Sequence, residues 1–271
     1  MKHRSSHSSV TSALTVAGSD SGGGAGLQAD LKTFARIKIH GTSVVTCITA
    51  QNPSGVLAVQ PVAVQLVEQQ FQALNEGFRP SAVKSGMLYS EAIVRAVSRG
   101  LRLLQPHYYI ADPVMVATSG AHLLRGRGVQ AIQKHLIPLA NLVTPNVAEA
   151  EVLLNEPILR PAQAKEAVKK LVDRYEVAFL LKGGHLPSQG TVTDYFHDGT
   201  QLLCLDADYI RGRNTHGTGC TYAAAITGFL AAGSQLEEAI FKAKSFITDA
   251  IRGSYRTGHY EALNVWEASG K

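Results

Sequence analysis

The run Thr215-His216-Gly217-Thr218-Gly219-Cys220 leads directly into the small-residue stretch Thr221-Tyr222-Ala223-Ala224-Ala225. Two glycines and a cysteine therefore fall where a helix begins. A helix N-terminus presents unpaired N–H groups and about half a positive charge, and glycine lets backbone approach an anion closely. Phosphoryl transfer, whose catalysis is mostly positioning and charge stabilisation, needs such a cradle. The helix start is also expected to lower the Cys220 thiol pKa and to poise it for proton transfer. A glycine-rich helix entry built only for tight packing is the competing reading.

Further candidates sit where apolar runs end. Gly18-Ser19-Asp20-Ser21-Gly22-Gly23-Gly24-Ala25-Gly26 follows the first such run and opens a helix, where an open α/β sheet binds ligand. It has neither the Gly-Lys-Ser/Thr ending of a P-loop nor the spaced acidic residue of a dinucleotide fingerprint. Asp30 lies inside the following helix, where it could equally be an exposed surface residue. Gln51 carries a donor and an acceptor side by side, which suits an aminated nitrogen heterocycle, or a solvated turn. Met87, after Lys84-Ser85-Gly86, could wall a flat ring or fill a gap in the core. Asp112 and Glu149 follow two later runs and could hold magnesium through water, although Asn146 with Glu149 three residues on is also a capping box. Lys182-Gly183-Gly184 ends the last parallel run, and its ammonium could meet phosphates or water.

These positions require elements to hold them on one edge. Apolar runs at 14–17, 44–49, 82–84, 108–111, 142–144 and 179–181 read as buried strands, and 25–37, 62–77, 92–104 and 162–175 as helices. Such alternation predicts an α/β fold with a parallel sheet covered on both faces. Residues 192–196 and 201–205, turning at Asp198-Gly199, predict an antiparallel hairpin at one margin. A final amphipathic helix over 235–252 should pack beside the helix that starts near Cys220 and ends at Gly233. One domain over 12–271 is expected, preceded by a disordered tail over 1–11 rich in serine.

Composition narrows the class. Charged residues are 17% and apolar residues 45%, which excludes global disorder, and a net charge of +5 permits an anionic substrate without demanding one. Three cysteines in no paired spacing argue for a reducing, cytoplasmic setting, with Cys47 and Cys204 as inert core thiols. No apolar run reaches the ~18 residues of a membrane span, and no basic and aromatic stripe suggests nucleic acid. Arg125-Gly126-Arg127 and Arg211-Gly212-Arg213 are short clusters suited to solvated loops or to nucleotide phosphates.

Taken in order, these segments resemble the ribokinase-like small-molecule kinases, and within them the hydroxymethylpyrimidine/phosphomethylpyrimidine kinases of thiamine biosynthesis. The motifs are the run from Ala17 through Phe34, Ala50-Gln51-Asn52, Lys84-Ser85-Gly86-Met87, Asp112-Pro113-Val114-Met115, Thr144-Pro145-Asn146 with Glu149, Lys182-Gly183-Gly184-His185 and the run from Thr215 to Cys220. The resemblance implies a three-layer α/β/α sandwich, ATP and Mg2+, and a homodimer. It implies a pyrimidine pocket lined by Gly18, Asp30, Gln51 and Met87, and an anion hole of Gly217, Gly219 and Cys220. Lys182, Thr215, Asp112 and Asn146 would approach the nucleotide, and Glu149 the metal. Cys220 acting as a base would matter mainly for the first phosphorylation, because an alcohol must lose a proton and a phosphate need not. The family's Gly-His-Gly-Pro near the end is here Gly258-His259-Tyr260-Glu261, so no role is carried there. A proline common in the first loop is replaced by Ser21-Gly22-Gly23, which leaves the loop's rigidity open.

Overall fold

The innermost strands of the central sheet are mostly apolar and buried because both their faces are covered. The computed structural model describes residues 10–115, 123–184, 186, 190–213 and 216–270. Its main sheet contains β1 (Ser12–Asp20), β2 (His40–Asn52), β3 (Gly55–Pro61), β4 (Ala82–Ser85), β5 (Tyr108–Ala111), β6 (Leu142–Val143), β7 (Ala178–Leu181), β8 (Thr191–His197) and β9 (Leu202–Asp208). Their spatial order is β3-β2-β1-β4-β5-β6-β7-β8-β9. The six strands from β2 to β7 in that order run parallel, and β8 and β9 continue antiparallel from β7.

The expected hairpin is thus present, turning at Gly199 with φ +97°. An antiparallel strand also occupies the opposite margin, where β3 pairs with β2. That second margin was not expected. Residues of β3 are half-buried or exposed, with Leu57 83% accessible, and its apolar run Val56–Val59 is too short for pattern alone to assign.

Helices α1 (Gly26–Arg36), α2 (Val64–Gly77), α3 (Glu91–Leu104), α4 (Gly128–His135), α5 (Val147–Leu154), α6 (Pro161–Tyr175), α7 (Thr218–Ala231) and α8 (Leu236–Arg252) form two layers. Alternate strand residues divide between them. Phe179 and Leu181 join the core with Phe71 of α2, Ile93 of α3 and Leu171 of α6, whereas Ala178 and Leu180 join Phe34 of α1, Ile226 of α7 and Phe246 of α8. This is the three-layer α/β/α arrangement the alternation implied.

Local chemistry sets the helix ends. Pro161 opens α6, its fixed φ suiting the first turn. Glu176 closes it in the left-handed region. In contrast, α7 is apolar on nearly every side, as a helix enclosed by neighbours must be. It lies against both α1 and α8, so its first turn is fixed relative to the strand ends. Cys47 is buried as expected. Cys204 is exposed on β9, because a marginal strand leaves one face uncovered.

Candidate active site

The loops after β1, β2, β4, β5, β6 and β7 meet the first turn of α7 around a cavity of about 390 Å³. Gly18, Gln51 and Met87 line one part of it, and Gly217, Gly219 and Cys220 line the same space. Asp112, Asn146, Glu149 and Lys182 line it too. Thr215 and His185 lie outside the described residues.

The anion-hole turn demands glycine. Gly217 caps α7 at φ +82°, and a Cβ there would run into the carbonyl of Gly24. No side chain caps this helix start, so its first N–H groups are available to an anion. The facing glycine-rich loop is fixed by Asp20, whose carboxylate accepts N–H bonds from Gly22 (2.8 Å), Gly24 (3.0 Å) and Ala25 (2.8 Å). These bonds supply the rigidity that the absent proline left open. His216 Nε2 stands 3.5 Å from Asp20 Oδ2, joining the two loops.

The expected low thiol pKa at Cys220 is not found. Burial pushes it up to about 11; attraction to Lys84 opposes the rise, while Asp30 and Asp112 add to it. The partial charge of a helix start is smaller than this desolvation together with two acidic neighbours. At neutral pH, Cys220 therefore keeps its proton.

Asp30 is displaced from its expected role. Its carboxylate is fully buried and does not line the cavity. It accepts from Lys84 Nζ at 2.8 and 2.9 Å and from the Thr15 hydroxyl at 2.5 Å. Lys84 lines the cavity in its place. Burial works against the Lys84 proton, but Asp30, Cys220 and Asp112 outweigh it and hold its pKa above the lysine norm. A lone lysine in the apolar run Ala82-Val83-Lys84 was the signal that could have identified it.

A second charged group surrounds the ends of β5, β6 and β7. Asp112 Oδ1 accepts from Lys182 Nζ (2.8 Å) and from the Thr144 hydroxyl (3.2 Å). The capping box is complete: Asn146 N–H donates to Glu149 (2.8 Å), and Glu149 N–H donates to the Asn146 side chain (2.9 Å). Glu149 also faces the cavity, so capping does not remove it from the site. Burial pushes its carboxyl up to about 7, Asp112 adds to the rise and Lys182 opposes it.

The cavity continues between β8, β9, α7 and α8. Val192, Ala207, Ile210, Ile247 and Ile251 give that lobe apolar walls. Asp194 accepts there from Lys244 (2.7 Å) and from Gly183 N–H (2.9 Å). The sequence reading gave this pair no role. Of the two arginine clusters, Arg125 lies over the Tyr89 ring at 5.3 Å and Arg213 pairs with Glu261 at 3.1 Å.

The family profile described as phosphomethylpyrimidine kinase matches residues 20–264. The chain belongs to the phosphomethylpyrimidine kinase family. It is 41% identical over 250 residues to hydroxymethylpyrimidine/phosphomethylpyrimidine kinase of Bacillus subtilis, covering 92% of both chains. It is 45% identical over 245 residues to the enzyme of that name from Rhizobium meliloti, covering 90% of this chain and 91% of the relative. Among solved structures, a phosphomethylpyrimidine kinase from Clostridium difficile matches with a TM-score of 0.78 at 38% identity, covering 89% of this chain and 99% of that one. An ADP complex of Bacillus subtilis pyridoxal kinase matches with a TM-score of 0.86 at 33% identity, covering 94% and 97%. The phosphomethylpyrimidine kinase family thus shares its fold with pyridoxal kinases.

Proposed function

We infer that this protein transfers the γ-phosphoryl group of ATP to 4-amino-5-hydroxymethyl-2-methylpyrimidine, and then phosphorylates the monophosphate to the diphosphate used for thiamine diphosphate. The observation that supports this reading most is the placement of Gln51 and Cys220 on one cavity. A primary amide pairs with an amino group and the adjacent ring nitrogen of an aminopyrimidine. Gly18 leaves room beside it: a Cβ there would meet Cys47 Sγ at 2.6 Å and Met87 Sδ at 3.3 Å. Met87 then covers the flat ring.

In the first transfer the hydroxymethyl oxygen bonds to the γ-phosphorus, the bond from phosphorus to the ADP oxygen breaks, and the alcohol proton passes to water. In the second, the attacking oxygen belongs to a phosphate that is already anionic. Since Cys220 keeps its proton, it acts in both transfers as a donor in the anion cradle beside the N–H groups of α7. Lys182 lies against that cradle, with Nζ 3.2 Å from where a Cβ on Gly219 would sit. Its ammonium meets the phosphate oxygens of the nucleotide, whose base occupies the apolar lobe.

Magnesium keeps several waters and takes one or two carboxylates. Among the described residues no group of three or more His, Cys, Asp or Glu side chains forms a metal cage. Asp112 and Glu149, two cavity-lining carboxylates, the second raised by burial and further by the first, fit such a hydrated ion. They would hold it through water, and bound there it would offset charge on the transferring phosphoryl group.

The pyridoxal kinase match favours a second acceptor, pyridoxal, on the same cleft. ADP release with the pyrimidine alcohol, its monophosphate and pyridoxal, together with product mass, separates the readings. Two phosphates added to the pyrimidine support the first reading; turnover of pyridoxal alone overturns it.

A further inference from the structure

The segment after α8, to which the resemblance carried no role, forms its own two-stranded hairpin. Strands β10 (Tyr255–Thr257) and β11 (Tyr260–Ala262) pair antiparallel. The root of this hairpin is fixed. Tyr255 stacks on Trp266 with ring centroids 4.9 Å apart. Asn264 N–H bonds the Ala250 carbonyl of α8 at 3.0 Å. Val265 and Ala268 are buried in the core beside α7 and α8.

From this root, two consecutive side chains reach two segments that flank different parts of the cleft. The Tyr260 hydroxyl shares a hydrogen bond with the Ser54 hydroxyl at 3.1 Å. Ser54 lies in the turn between β2 and β3, three residues after Gln51. Ser21 grips the same turn, its hydroxyl donating to the Gln51 carbonyl (2.7 Å) and accepting the Gln51 N–H (2.8 Å). Next in sequence, Glu261 pairs with Arg213 at 3.1 Å. Arg213 closely follows Tyr209 and Ile210, which wall the apolar lobe.

We propose that Tyr260 and Glu261 are positioning residues. Through them the C-terminal hairpin works as a strap between the acceptor-side turn that presents Gln51 and the nucleotide-side segment before the anion hole. The two tethers join segments that are otherwise far apart in the chain, and both spring from one rigid root. Binding that orders one wall is therefore felt by the other. This assignment of the two lobes rests on the kinase reading above.

Two conservative variants test the strap. Tyr260→Phe removes a hydroxyl and keeps the ring, and Glu261→Gln removes a charge and keeps the shape. One exposed hydrogen bond or ion pair of this kind is worth about two- to ten-fold in an equilibrium. In the ligand-free protein, hydrogen exchange should accelerate over residues 50–55 in Tyr260→Phe and over residues 209–213 in Glu261→Gln. With substrates, Tyr260→Phe should raise the acceptor KM about three- to five-fold and Glu261→Gln the ATP KM by a similar factor, with kcat within about two-fold. Ser54→Ala with Tyr260→Phe should be no worse than either alone, because one bond is lost in each case. Unchanged exchange at both segments, additive Ser54 and Tyr260 effects, or losses in kcat instead of KM would each overturn the strap. Failure of the wild type to phosphorylate the pyrimidine counts against the kinase reading; the exchange measurement still decides the strap.

Discussion

Lys84 Nζ sits 2.8 Å from Asp30 Oδ2, and neither side chain reaches solvent. Lys84 lines the cavity and Asp30 does not, so Asp30 bears on the cavity through the ammonium it holds in place. Removing one partner leaves an uncompensated buried charge, which costs about 3–5 kcal/mol. Lys84→Met and Asp30→Asn should each lose stability of that order in urea unfolding. Lys84→Met combined with Asp30→Leu should regain most of it while activity stays low. A double variant with near-normal activity would show that the site does not need the Lys84 ammonium.

Gln51 is expected to discriminate between acceptors. A site built to hydrogen-bond an aminopyrimidine is left with unmet bonds when the amide is lost, at about 1–3 kcal/mol. Gln51→Leu should therefore raise the pyrimidine KM about 10- to 100-fold while affecting pyridoxal less. Steady-state kinetics with both acceptors measures the ratio, and equal losses would assign Gln51 to the wall alone.

Cys220 offers a direct test of protonation. Because burial lifts its thiol to about 11, alkylation by iodoacetamide should stay slow at neutral pH and climb steeply only as pH approaches that value. Peptide mass mapping separates it from exposed Cys204 and buried Cys47. A protonated donor assists both transfers, so Cys220→Ala should slow the two phosphorylations by factors within about three of each other. A loss confined to the alcohol acceptor would restore the thiolate as a base.

Glu149 makes stability depend on pH. Its carboxyl rises from the ordinary 4.5 to about 7 on folding. Between those values the folded protein binds a proton that the unfolded chain has released. The stabilisation is complete below about 4.5 and disappears as pH rises through about 7. Glu149→Gln, which preserves the capping box, should flatten this part of the ligand-free stability profile. The check is urea unfolding from pH 5 to 8; identical slopes in both proteins would contradict it.

Much of this architecture was readable in the chain because strands covered on both faces tend to be apolar runs, as 178–181 shows. The β3 margin rests on a short apolar run, Val56–Val59, that pattern alone does not assign, and α4 was hidden by its brevity. Gln51, Cys220, Asp112 and Lys182 were legible because each follows an apolar run on the same sheet edge or opens a glycine-marked helix. Burial was not legible. The thiol shift at Cys220 and the retreat of Asp30 behind Lys84 both depend on how tightly neighbouring layers close over those groups, which spacing does not encode. Tyr260 and Ser54 are 206 positions apart, so no local pattern announces their contact.

Helix α7 has almost no wetted face, with Ala223, Ala224, Ala225 and Ile226 all at 1% accessibility or less. Close-packed interiors transmit displacement instead of absorbing it. An added methylene at Ala224 must shift the whole rod, and the rod's leading end lines the cavity. A substitution along this stretch should therefore disturb the cavity as surely as one in its lining, although none of these side chains carries a functional group.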